Sequence, residues 1–156
     1  MLKSVLKLAM MLGFAITPAL ALADGHGEET KMERHTALGI GGFFFVADDA
    51  AALSQWYERH LGINPVPQSY DDVPWVQEAG PTIVAPFPKG ADGMIPQGKN
   101  WMLNLRVADL DGFAEQLRSE GIEVTIDAES YPNGRFATLA DPEGNPIQLW
   151  EPVVPQ

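Results

Sequence analysis

The stretch Gly134-Arg135-Phe136-Ala137-Thr138-Leu139-Ala140-Asp141-Pro142-Glu143-Gly144-Asn145-Pro146-Ile147-Gln148-Leu149-Trp150-Glu151-Pro152 sets a turn signal between two strand-like runs. Asp141 to Asn145 gathers Asp, Pro, Gly and Asn, whose side chains preset or tolerate turn dihedrals. Arg135 to Ala140 and Pro146 to Trp150 therefore read as two strands joined at that turn. Successive strand side chains point to opposite faces. Ile147 and Leu149 then go to a core, and Gln148 and Trp150 to the other side.

Working back from this hairpin, Ile122 to Ile126 reads as a strand. Before it, Leu110, Phe113, Ala114 and Leu117 recur at helical spacing, with Asp109 or Asp111 as cap and Gly121 as stop. Trp101 to Val107 is the strand that leads into this helix. The same order occurs earlier in the chain. Ile40 to Val46 reads as a strand, Asp48 or Asp49 as a cap, and Leu53, Trp56, Tyr57, His60 and Leu61 as a helical stripe ended by Gly62. Pro65, Pro67 and Pro74 make the next strands short or irregular. Pro81 to Phe87 holds one more strand, and Lys89 to Asn100 is a loop rich in Gly and Pro.

Val46-Ala47-Asp48 recurs as Val107-Ala108-Asp109 at the same strand-to-helix junction, and each helix closes on Gly-Ile. Together with the matching strand, cap and stripe, this predicts a duplicated β-α-β-β-β unit in an α+β fold.

The first residues bear on compartment. Lys3 and Lys7 precede an apolar run from Leu8 to Ala23 that ends in Ala21-Leu22-Ala23, the small-x-small pattern read by signal peptidase. Residues 1–23 are thus expected to be a signal peptide cut between Ala23 and Asp24, giving a periplasmic or secreted protein with no stable membrane anchor. Residues 24–36 read as a flexible polar leader. The 156-residue chain has formal charge −11, and cleavage removes two basic residues, so the mature surface is more acidic still. Nucleic acid is excluded as a partner, because its binding depends on basic patches. The absence of cysteine excludes disulfides, thiol nucleophiles and zinc–thiolate sites.

This layout, with the quoted ending, Trp56-Tyr57 and Leu61-Gly62-Ile63, resembles the vicinal oxygen chelate superfamily over residues 38–152. That superfamily includes glyoxalase I, bleomycin-resistance proteins and extradiol dioxygenases. The resemblance implies two tandem βαβββ modules forming one curved mixed sheet around a cleft, with the helices on its outer face. It also implies a homodimer, and, in the family's enzymes, a divalent metal held by the first and last strands of each module. Here those positions carry Gly41, Ile83, Met102 and Gln148. Glycine and isoleucine offer no donor, and a thioether is a poor ligand for hard cations. His26, His35 and His60 lie on none of the cleft strands. No metal or other cofactor is therefore expected.

Alternation in Trp101–Val107 directs Met102, Asn104 and Arg106 to the cleft. Registering the two halves on their Val-Ala-Asp repeats puts Gly41, Phe43 and Phe45 there too. The candidate ligand-binding residues are Phe43, Phe45, Met102, Asn104, Arg106, Arg135, Gln148 and Trp150. Phe43 and Phe45 either wall a ligand or fill the cleft. Arg106 meets either a ligand carboxylate or one of the many surface acids. Arg135 either joins Tyr131 at the lip of the pocket or pairs with Asp141 or Glu143. No carboxylate pair and no Ser-His-Asp set is fixed by spacing, so no catalytic residue is assigned.

Three functions follow. The first is binding of a small, partly aromatic molecule in a metal-free cleft. The second is a glyoxalase-like lyase or isomerase, or a dioxygenase-type enzyme, with a non-standard site. The third is a protein-interaction domain whose cleft is filled by its own aromatics.

Overall fold

The computed structural model describes residues 35–89 and 95–153. The expected signal peptide, nearly all of the expected leader with His26, and part of the Lys89–Asn100 loop lie outside the described residues. The chain divides after Leu38, and all named elements belong to the unit Gly39–Gln156. They are α1 (Ala50–Leu61), β1 (Leu103–Arg106), α2 (Leu110–Ser119), β2 (Thr125–Ile126), β3 (Gly134–Ala140) and β4 (Pro146–Pro152). Among the described residues, no helix is long and apolar enough to cross a membrane.

Both helices start on an aspartate whose carboxylate satisfies a free backbone donor of the first turn. Asp49 accepts from the Ala52 amide at 3.0 Å, and Asp109 from the Gly112 amide at 2.9 Å. Gly62 ends α1 in the left-handed region, and its amide reaches the Glu58 carbonyl at 3.1 Å. The buried stripe of α2 is Leu110, Ala114 and Leu117, spaced to fall on one face. Leu53 and Tyr57 are the buried pair of α1.

The sheet runs β1-β4-β3-β2, with β1 parallel to β4 and the other pairs antiparallel. Its core face presents Ala137, Leu139, Ile147 and Leu149 to both helices, with Leu103 and Leu105 packed beside them. Burying each Leu or Ile in this layer contributes about 1.5–3 kcal/mol. The hairpin expected from residues 134–152 is β3 and β4, in full register from Gly134↔Pro152 to Ala140↔Pro146.

The α+β class holds, with a mixed four-stranded sheet. The first half departs from the duplicated unit: it supplies its helix, but Ile40–Val46 and Pro81–Phe87 form no ladder. Composition explains this. Gly41 and Gly42 weaken the first segment as a strand, and Pro81 and Pro86 withdraw backbone donors from the second. Apart from Phe45, their apolar residues stay open to solvent: Phe44 is 90% exposed, Val46 95%, Ile83 71% and Val84 80%.

The repeat register also shifts. Asp109, the last residue of its Val-Ala-Asp triplet, caps α2, whereas α1 is capped by Asp49, one residue beyond its triplet. Aligned on the caps, Phe43 and Phe45 match Leu103 and Leu105 on the core side, not Met102, Asn104 or Arg106. Phe45 accordingly packs against the core.

Candidate functional site

The face of the sheet turned away from the helices carries two rows. Asn104, Gln148, Thr138 and Thr125 stand side by side on β1, β4, β3 and β2. The next row is Arg106, Trp150 and Phe136. In the first row, the Asn104 side-chain amide donates to Gln148 Oε1 at 2.7 Å. That bond leaves Asn104 Oδ1 and Gln148 Nε2 free among the described residues to accept from and donate to a bound molecule.

In the second row, the Phe136 and Trp150 rings lie nearly parallel, 7° apart in plane with centroids at 6.3 Å, and Tyr131 meets Phe136 edge-on at 5.6 Å. Trp150 is the floor rather than a wall. It is only 7% exposed, and its indole N–H donates to the Asn133 carbonyl at 2.9 Å. Gly134 makes this possible, because its φ of 137° and the nearness of the Trp150 ring and the Glu151 backbone leave no room for a Cβ. Phe136, half-buried, and Tyr131, exposed, are the aromatic surfaces of this row that remain accessible. Arg106 donates to the Glu78 carbonyl at 2.6 Å.

An opening of about 630 Å³ lies at the turn end of the sheet, lined by Trp56, Met102, Ile122, Thr125, Thr138 and Pro142 among others. Met102 and Thr138 connect it to the polar row. A smaller opening of about 300 Å³ runs beside α1 at Trp56, Arg59 and His60.

Asn104, Arg106, Gln148 and Trp150 are therefore brought to one face, with Met102 at its end. Phe43, Phe45 and Arg135 are not. Phe43 and Phe45 both pack on Trp101 with centroids at 5.0 Å, and Phe45 lies 6.2 Å from the Tyr57 ring. Ile40–Val46 forms no strand, so alternation does not direct these two side chains to the sheet face. Arg135 sits on the helix face, where it pairs with both oxygens of Asp111 at 2.8 Å and with Glu151 at 3.5 Å, rather than with Asp141 or Glu143. The Asp111 carboxyl is held below its ordinary value by the hydrogen bond from Arg135. Phe136, Thr138 and Thr125 were missed by sequence reasoning. Alternation carried from Gln148 and Trp150 across the hairpin register finds the first two of them.

The turn itself does structural work. The buried Asp141 carboxylate accepts from Tyr57 Oη at 3.0 Å, from the Glu143 and Asn145 amides at 2.9 Å, and from Asn145 Nδ2 at 2.8 Å. Burial, followed by the negative charge of Asp141, pushes the Tyr57 phenol well above its usual value. Glu143 accepts from the Asp48 and Asp49 amides at 3.0 and 2.9 Å, at the start of α1. His60 joins the helices by bonding Glu120 through Nδ1.

A divalent metal does not fit the residues at the family's ligand positions. Gln148 Oε1 already accepts from Asn104, Met102 offers a thioether, and Gly41, Gly42 (the match to Met102 when the caps are aligned) and Ile83 offer no side-chain donor. Among the described residues, no three His, Cys, Asp or Glu side chains converge as a ligand set.

Residues 42–150 match the family of the glyoxalase-like domain. Among solved structures, TnmS3, an antibiotic binding protein from Streptomyces sp. CB03234, is 27% identical over 76% of this chain and 99% of that one, with a TM-score of 0.48. A glyoxalase/bleomycin resistance protein from the same Streptomyces is 37% identical over 31% of this chain, with a TM-score of 0.29. A putative glyoxalase family protein from Bacillus anthracis is 29% identical over 40% of this chain, with a TM-score of 0.32. The chain spans 42% and 49% of the lengths of these last two. No curated relative matches. With the match running through most of its length, from the segment before α1 to the last strand, the chain belongs to the glyoxalase-like domain family of the vicinal oxygen chelate superfamily.

Proposed function

We propose that the Asn104–Gln148 face of the sheet binds a small, partly aromatic molecule without a metal centre. The observation that carries this reading is the pairing of two unlike rows on one open face. The Asn104–Gln148 amide pair, joined at 2.7 Å, lies beside the Phe136–Trp150 stack. A few convergent polar groups next to an aromatic surface suit a ligand that combines a ring with hydrogen-bonding substituents. The metal-free part of the reading rests on the donor set, in which the family's ligand positions hold Gly41, Ile83, Met102 and Gln148. Action outside the cytoplasm is supported by Lys3, Lys7, the apolar run after them and Ala21-Leu22-Ala23.

A thermal-shift screen of fused-ring aromatics with the protein in a chelator tests this function. At least one compound should raise Tm saturably, as expected for a ligand that binds the folded state. Asn104→Ala and Gln148→Ala should each weaken its binding about tenfold, the size of one lost hydrogen bond of about 1.4 kcal/mol. Binding that needs added divalent metal, or that ignores both substitutions, overturns the proposal.

A further inference from the structure

Arg106 is the one cation in the two rows of the face, in a chain with 21 acidic and ten basic residues. Among the described residues, the ion pairs belong to His60 and Arg135, and Arg106 pairs with no carboxylate. Its guanidinium instead donates through Nη2 to the neutral carbonyl of Glu78. Gly80 lies directly against the same group, close enough that a Cβ there would overlap it. The segment supplying these contacts is exposed throughout and forms no ladder. A carbonyl oxygen thus occupies the place where an arginine fork most favourably receives an oxyanion, and a charge-assisted pair is stronger than one to a neutral acceptor.

The position of Arg106 in the sheet gives this meaning. It is the ladder partner of Trp150, and Phe136 is next in the row. Strands lie about 4.8 Å apart, so the span from Arg106 to Phe136 is roughly 10 Å. A fused ring bearing one charged group covers that span.

We propose that the molecule taken up by this face is an aromatic oxyanion, a carboxylate or a phosphate ester, whose charge replaces the Glu78 carbonyl on Arg106. This rests on the reading of the face as a binding site. The ring lies along Phe136 above Trp150, while Asn104 and Gln148 serve its polar substituents. Binding of the anion weakens as salt screens its pair with Arg106.

The test uses three probes of similar shape: 2-naphthoate, 2-naphthyl phosphate and neutral 2-naphthamide, each titrated calorimetrically into the full folded protein. The parent should bind at least one anion tenfold or more tighter than the amide, and which anion does so identifies the charged group. Arg106→Gln should lose that preference, binding the anions no more tightly than 2-naphthamide, and an unfolding midpoint close to that of the parent reports that the variant is folded. Arg106→Lys should recover part of it, since charge without the fork is retained. Equal affinity of the parent for all three probes, or a preference untouched by Arg106→Gln, overturns the anion assignment and leaves binding at the face standing. No binding of any probe to the parent overturns both.

Discussion

Tyr57 of α1 donates its hydroxyl to Asp141 of the β3–β4 turn at 3.0 Å, across 84 positions of sequence. This bond, with the two amides that Glu143 accepts at the start of α1, ties the first half of the chain to the last hairpin. Asp141 collects four donors in a buried setting, so removing it strands several groups at once. Asp141→Ala should cost about 3 kcal/mol in denaturant unfolding, and Tyr57→Phe about 1 kcal/mol. Equal, small losses in both variants would contradict a hub at Asp141.

The same pair gives an alkaline signature. The folded-state phenol of Tyr57 titrates above its ordinary value of 10, because burial and Asp141 both oppose its ionisation. A raised folded pKa means stability that is fully present below pH 10 and lost as pH rises toward the folded value. Stability should therefore fall above about pH 10. Tyr57→Phe should flatten that fall, which unfolding curves at a series of pH values would show.

At the acid end the sign reverses. The carboxyls of Asp111, held by Arg135, and Asp127, held by the Glu129 amide and then Tyr131, lie below their ordinary value of 3.8. Their stabilisation is complete above that value and lost as pH falls through the lowered folded values. Arg135→Gln should make unfolding less sensitive to pH below about 4. An unchanged acid slope would mean that the Arg135–Asp111 pair is not maintained in solution.

The cap register predicts a contrast between neighbours. Phe45 packs on Trp101 and near Tyr57, whereas Phe44 is open to solvent. Phe45→Ala should cost about 2–3 kcal/mol, somewhat less than a fully buried Phe, and Phe44→Ala within about 0.5 kcal/mol of zero. The opposite order would restore the register set by the Val-Ala-Asp repeat.

That contrast also marks how far the sequence could be read. The helices were legible because their signals are local: an aspartate cap, an apolar stripe and a closing glycine. The hairpin was legible from its turn, and with it the outward direction of Gln148 and Trp150. Asn104 and Arg106 followed from alternation in a strand with clear polarity. Phe43 and Phe45 were misplaced because strand alternation was applied to Ile40–Val46, which forms no strand, and because the register was taken from Asp48 although Asp49 is the cap. Arg135 was misplaced because its partner Asp111 is near only in three dimensions. The missing ladders of the first half were legible only in part: the glycines and prolines that weaken Ile40–Val46 and Pro81–Phe87 are local, but their apolar residues read as strands.

Side-chain amide NMR reads ligand binding at the metal-free polar and aromatic face of the sheet itself. Isotope-labelled protein in EDTA would be titrated with 2-naphthamide while the Asn104 and Gln148 amide signals are followed. Saturable shifts at both, with the Phe136 ring moving and Phe43 and Phe45 unmoved, are the predicted result. Shifts confined to the Phe43–Phe45–Trp101 cluster, or appearing only when a divalent metal replaces the chelator, would contradict it.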